Sequence, residues 1–141
     1  MIRDVMSKHV VTIAPEATVR DAVNTLLEHR FSGVPVVTDG GNCIGTISLH
    51  DVIDVLFDPA LWDVPVTDRM NPEPPAVGVD ESLSRAAHLL ILYGTHWLPV
   101  IEGHAVVGIL SSGDLLRYAK QHGEPLTDPL VEMMPSLGRI T

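Results

Sequence analysis

Two stretches of the chain carry the same stripe of apolar residues. Val19, Ala22, Val23, Leu26 and Leu27 fall at i, i+3, i+4, i+7 and i+8, and Leu83, Ala86, Ala87, Leu90 and Ile91 repeat them at a constant offset of 64. That spacing puts five apolar side chains on one face of a helix. Thr18 stands directly before the first helix with Asp21 at the capping-box position, and Ser82 takes the place of Thr18 before the second. Around these helices the period shortens to that of strands. The β-branched run Val10-Val11-Thr12-Ile13, closed by Ala14-Pro15, reads as a short strand, and Ala76 to Val79 as a weaker one. Val34-Pro35-Val36-Val37, the turn Asp39-Gly40-Gly41-Asn42 and Cys43-Ile44-Gly45-Thr46-Ile47 together read as a β-hairpin. Leu98-Pro99-Val100-Ile101 opens the second hairpin, whose turn Glu102-Gly103-His104 is one residue shorter, so the offset falls to 63 beyond it. Each hairpin runs into a second helical pattern, Val52, Val55 and Leu56 up to Asp58-Pro59, then Leu115, Tyr118 and Ala119 up to Gly123.

The order βαββα thus occurs twice, in units of about 57 residues that are too small to bury a sheet face comfortably alone. The expectation is an α/β chain of the α+β type, with two βαββα repeats packed sheet to sheet around a pseudo-twofold axis. Residues 1–57 form the first repeat and 67–123 the second, with a proline-broken linker over 58–66. Ile2 to Met6 and Val66 to Met70 are matching lead-ins. In the extension 124–141, Asp128-Pro129 starts a short apolar helix through Leu130, Val131, Met133 and Met134 that Pro135 ends.

Composition narrows the function classes. Hydrophobic residues make up 45% of the 141 and mean hydropathy is +0.23, which supports a packed interior and excludes disorder. No apolar run approaches a membrane span and Met1-Ile2-Arg3-Asp4 opens no signal-peptide core, so a soluble, cytoplasmic chain is expected. The net charge of -9 repels nucleic acid and anionic membrane, and neither is expected as a partner. Cys43 is the single cysteine, so no disulfide closes within the chain. It reads as a small apolar residue opening a strand, with a reactive thiol as the alternative. Seven histidines (His9, His29, His50, His88, His96, His104 and His122) form no H-x-x-x-H or H-x-H pair, and no metal site is expected. Nor does a nucleophile–base pair or a catalytic pair of carboxylates stand at a recognisable spacing, so no catalytic residue is assigned.

The chemistry sits where each hairpin meets its second helix. Gly45-Thr46-Ile47-Ser48-Leu49-His50-Asp51 returns 63 residues later as Gly108-Ile109-Leu110-Ser111-Ser112-Gly113-Asp114. A strand ending in a hydroxyl, with a carboxylate three residues on, gathers polar groups and unpaired helix N–H donors at one mouth. The same Ser-x-x-Asp is also a capping box, which needs no ligand.

With its hydrophobic-Pro-Val steps at Val34-Pro35-Val36 and Leu98-Pro99-Val100 and its doubled Gly-x-hydrophobic-Ser-x-x-Asp, the chain resembles the CBS domain pair, or Bateman module, over residues 1 to about 123. The resemblance implies a dimeric regulatory sensor, not an enzyme, that binds adenosyl ligands (AMP, ADP, ATP, S-adenosylmethionine or NAD-type molecules) in clefts between its repeats. Under it Asp114 and Asp51 would take ribose hydroxyls, and Ser111 and Ser48 a phosphate or ribose oxygen. Val34, Pro35, Leu98 and Pro99 would flank the base, with Thr12 on the first strand. Gly108 and Gly113 would allow close backbone approach, so Asp114 is preferred to Asp51, which follows the bulkier His50. Many family members carry Arg or Lys in or just after the Ser-x-x-Asp step to meet phosphates, whereas here the intervening residues are Leu49-His50 and Ser112-Gly113. With the acidic charge, this favours AMP or S-adenosylmethionine over ATP. A homodimer through Val55, Leu56, Leu115 and Tyr118 is expected, the alternative being that these four face their own sheet. A regulated protein would be a separate chain. The competing reading is a structural or protein-interaction module without a nucleotide.

Overall fold

The computed structural model describes residues 1–123, so the helix expected over 128–134 lies outside the described residues. In chain order the elements are α1 (Ile2–Val5), α2 (Val19–His29), β1 (Gly33–Val37), β2 (Cys43–Ser48), α3 (Leu49–Val52), β3 (Val77–Gly78), α4 (Leu83–Tyr93), β4 (Trp97–Glu102), β5 (Ala105–Ser111) and α5 (Ser112–His122). Short 3₁₀ turns cover Ile53–Leu56, Pro59–Asp63 and Val66–Asp68. The architecture is α+β with two sheets. One is the antiparallel pair β1–β2, in register from Gly33 against Ser48 with a shift between Val36 and Val37. The other has the order β3–β4–β5, with β3 parallel to β4 through Val77 opposite Val100.

The chain divides into two compact units, and these do not follow the repeat boundary. One, here the Asp114 unit, takes Met1–Val10, Pro75–Gly103 and the described residues from Val107 on. The other, the Asp51 unit, takes Val11–Pro74 and His104–Val106. Each lead-in therefore folds with the other repeat's sheet, and the physical reason is backbone pairing. Ser7 and Ile109 exchange both hydrogen bonds at 2.9 Å, and Ile2 is buried in the Asp114 unit's core. In the Asp51 unit Thr46 and Asn71 exchange bonds at 3.0 and 2.8 Å, and Val66 is buried. The stretch 58–66, expected as a linker, is largely folded, with Leu61, Trp62 and Val64 packed on that same core.

The helices α2 and α4 bury their stripes in the same way. Val19, Ala22 and Leu26 are buried and Val23 packs at the edge, as Leu83, Ala86, Leu90 and Ala87 do in α4. The fifth position stays in solvent in both, with Leu27 62% and Ile91 55% exposed. The first expected strand shrinks to one parallel bridge, Ile13 beside Val36, in which the Ile13 N–H donates to Pro35 O at 3.0 Å and Ile13 O accepts from Val37 at 2.9 Å. Of the four residues expected at a dimer contact, Val55 and Leu115 are buried in their own units. Leu56 is exposed and Tyr118 partly so, and the expectation is corrected for Val55 and Leu115.

The two helix ends offer a test. α4 ends on Gly94 at φ 61°, and the same place after α2 holds Arg30 at φ 58°. A left-handed backbone costs a residue with a Cβ about 1 kcal/mol relative to glycine. Arg30→Gly is expected to raise the melting temperature by about 2–4 °C, and Gly94→Ala to lower it. An unchanged or lower melting temperature for Arg30→Gly would contradict this account of the helix end.

Candidate functional site

At the end of β2, Ser48 turns into α3 as its cap. Its N–H donates to Asp51 Oδ2 at 2.9 Å, its hydroxyl donates to the same oxygen at 2.9 Å, and its Oγ accepts from the Asp51 N–H at 3.3 Å. At the end of β5 the pattern repeats, with Ser111 N–H donating to Asp114 Oδ2 at 2.9 Å and Ser111 Oγ accepting from Asp114 N–H at 3.1 Å. Both corners are complete capping boxes. The box engages Oδ2 of each aspartate, which fixes the side chain and leaves Oδ1 outside the box.

The residue one helical turn on differs between the units. In the Asp114 unit Arg117, one helical turn on, donates to Asp114 Oδ1 at 2.6 Å. The arginine is 68% exposed and the aspartate 16%. This guanidinium was not among the residues expected from the sequence, although Asp and Arg three apart on a helix are neighbours. In the Asp51 unit that place belongs to Asp54, which pairs with Arg69 of the lead-in. Arg69 also donates to the Asp51 carbonyl at 3.2 Å. The second Asp54 oxygen is buried without a hydrogen-bond partner.

Beside Asp114 lies an open hollow of about 170 Å³, lined by Asp4, Val5, Asp114, Arg117, Tyr118 and Gln121. Whole-ligand pockets run to about 300 Å³ or more. This hollow by itself therefore takes a ribose or a phosphate group rather than a complete nucleotide.

The other candidates separate by unit. Ser111, Gly113, Gly108, Leu98 and Pro99 fall with Asp114, whereas Ser48, Thr12, Val34 and Pro35 fall with Asp51. Val34, Pro35, Leu98 and Pro99 are buried, Val34 and Leu98 within their own units' apolar clusters. Thr12 is exposed beside the Ile13 bridge. Gly113 has room around it, since a Cβ there would come no closer than 3.6 Å to Arg117 or Ser111. Gly108 has a packing role of its own, for a Cβ there would meet the Ser7 carbonyl oxygen and Met6 Cγ at 3.0 Å. Cys43 opens β2 half-buried, its thiol donating to Gly45 O at 3.5 Å, and burial pushes its pKa up. That environment keeps it protonated, against the reading of a reactive thiol. Among the described residues no three His, Cys, Asp or Glu side chains gather as a metal site, and no helix is long and apolar enough to cross a membrane.

Two Ser-x-x-Asp corners, each on its own unit, meet a decisive comparison: the CBS domain model matches residues 2–58 and 63–121. The chain belongs to the CBS domain family. It is a CBS pair, with two repeats. The CBS domain-containing protein YhcV of Bacillus subtilis is 26% identical over 115 residues, 81% of either chain. Protein MJ1225 of Methanocaldococcus jannaschii is 28% identical over 116 residues, 82% of this chain and 41% of its own length. The A-adding tRNA nucleotidyltransferase of Geobacter sulfurreducens is 28% identical, but the match spans 15% of that enzyme. Among solved structures, CBSX2 in complex with AMP superposes with a TM-score of 0.78 at 29% identity, over 87% of this chain and 98% of that one. CBSX2 is a CBS-pair protein from Arabidopsis thaliana. The CBS domain pair of MJ0100, in complex with 5′-methylthioadenosine and S-adenosyl-L-methionine, shares the fold at a TM-score of 0.76 and 23% identity, over 86% of this chain and 97% of that one.

The close approach of each lead-in yields a second prediction. A Cβ at Gly45 would lie 2.6 Å from the Asn71 carbonyl oxygen, the counterpart of the Gly108 contact. Backbone cannot give way cheaply, so Gly45→Ala and Gly108→Ala should each destabilise the chain by about 1–3 kcal/mol. Chemical denaturation measures this, and midpoints equal to wild type would contradict the packing described.

Proposed function

We propose that this CBS pair is a regulatory sensor that binds an adenosyl ligand, with AMP or S-adenosylmethionine preferred to ATP, and that Asp114 receives the ribose hydroxyls. The observation that carries the reading is the Asp114 corner. A carboxylate held through Oδ2, with Oδ1 paired to the exposed Arg117, stands on the wall of an open hollow of the size of a sugar or one phosphate. Charge-assisted bonds from a vicinal diol to such an oxygen are among the stronger polar contacts. The AMP complex of CBSX2, 29% identical, supports the ligand class. The acidic balance of the whole chain, -9, works against a polyphosphate. Asp51, Ser48 and Thr12 form the corresponding set on the other unit, and Asp51 contributes less than Asp114. The module acts without catalysis, on a separate regulated protein in the cytoplasm. It works as a homodimer, for which Ile53, Leu56 and Phe57, 88% exposed at Phe57, supply apolar surface on the Asp51 unit.

The competing reading, a structural module without nucleotide, draws on the same boxes, because each Ser and Asp already satisfies its partner. Isothermal titration calorimetry separates the two. AMP should bind, and Asp114→Ala should weaken it ten- to a hundredfold, since each charge-assisted bond contributes about 1.5–3 kcal/mol. Asp51→Ala should weaken it less, and ATP should bind no tighter than AMP. Binding of AMP indifferent to Asp114→Ala would overturn the site assignment. No heat with any adenosyl compound would favour the structural module.

A further inference from the structure

We propose that the segment 124–141 of the same chain docks on the exposed apolar face of α4 and α5 and covers it. In the Asp114 unit four large side chains stay in solvent, Ile91, Leu92 and Tyr93 in the last turn of α4 and Leu116 in the second turn of α5, each 55–70% exposed. These turns adjoin. The Ser112 N–H that opens α5 donates at 2.9 Å to His96 O, three residues beyond Tyr93, and the two helices pack on each other. Grouped apolar side chains beside a charged rim mark an interaction surface. Lys120, one turn beyond Leu116, and Arg85, two turns before Leu92, put cations on those sides of the helices.

The chain itself supplies the occupant. Helix α5 ends on Gly123 at φ 64°, a left-handed cap that turns the chain out of the helix axis. Leu116 lies about 10 Å back along α5 from that cap, at about 1.5 Å per residue, whereas residues 124–128 can span up to about 16 Å when extended. The run Leu130, Val131, Met133 and Met134 is thus within reach of both helix turns, and Glu124, Asp128 and Glu132 around it bring negative charge to the basic rim. The tether decides between this occupant and a second copy of the chain. A segment joined by so few residues presents itself at an effective concentration on the order of 1 mM, which a separate chain at micromolar concentration does not match. The contact involves neither Asp114 nor the apolar surface of the Asp51 unit, so it stands apart from the proposed ligand and the proposed homodimer.

Paramagnetic relaxation in the full chain tests this. With Cys43→Ser and a nitroxide carried on His96→Cys, an exposed position between α4 and β4, the isotope-labelled methyl groups of Met133 and Met134 should lose most of their signal. Mixing nitroxide-bearing chains that lack the isotope with isotope-labelled chains that lack the nitroxide should leave both signals intact. Adding Leu92→Ser and Leu116→Ser to the nitroxide-bearing chain should restore them, while the methyl shift of Met6, which packs against the Asp114 unit's core, stays unchanged and reports an intact fold. Full Met133 and Met134 signals in the first sample overturn the proposal. Loss in the mixed sample, which would place a second copy on the face, overturns it too, as does loss that persists with both leucines replaced.

Discussion

The reciprocal bond between a strand-ending serine and the aspartate three residues later is the constraint on which both candidate half-sites depend. It satisfies helix N–H groups that would otherwise be orphaned where β2 and β5 stop. It also removes the rotamer freedom of a short acidic side chain. An aspartate already fixed by its own helix loses little further entropy when a ligand arrives, which is the benefit of preorganisation. The cap and the binding function are thus compatible, because the cap engages Oδ2 and leaves Oδ1. One helical turn on the two units differ, with an arginine that pairs with Asp114 Oδ1 in one and an aspartate that pairs with Arg69 in the other.

The corners are held in place by segments that the repeat pattern assigns elsewhere. The lead-in at residues 1–10 folds with the second repeat's sheet, and the lead-in near residues 66–71 with the first repeat's. Each passes close to a strand glycine, with the Asn71 carbonyl oxygen 2.6 Å from where a Cβ at Gly45 would lie, and Met6 and the Ser7 carbonyl crowding the same place at Gly108. Each lead-in also supplies groups around its corner, Asp4 and Val5 in one case and Arg69 in the other. Sequence repeat and folding unit are therefore different divisions of this chain, and the charge around each aspartate is set partly by a segment from the other repeat.

Much of this was legible in the residues and some was not. The helical stripes, both hairpins and both Ser-x-x-Asp corners follow from local periodicity and cap chemistry, and the structure holds them where expected. Periodicity does not say how wide the buried face is, so Leu27 and Ile91 look like core and are exposed. The run Val10 to Ile13 has strand composition, yet only Ile13 finds a partner, because pairing is a tertiary matter. Val52-Ile53 and Val55 crowd the helix after Ser48 with β-branched residues, and it changes to a 3₁₀ turn at Ile53. The counterpart SGDLLRYAKQH is richer in helix formers and runs eleven residues. The exchange of lead-ins could not be read from matching halves, since either lead-in suits either sheet by composition. Arg117 was legible as a helix neighbour of Asp114, three residues on, but the sequence does not say that its guanidinium closes on Asp114 Oδ1.

The most direct test of the central claim is a crystal structure of the full chain with AMP. The account predicts ribose hydroxyls within about 2.6–3.2 Å of Asp114 Oδ1, the Ser111–Asp114 cap intact, and Arg117 displaced from that oxygen. AMP bound elsewhere, with the Asp114–Arg117 pair undisturbed, would contradict it.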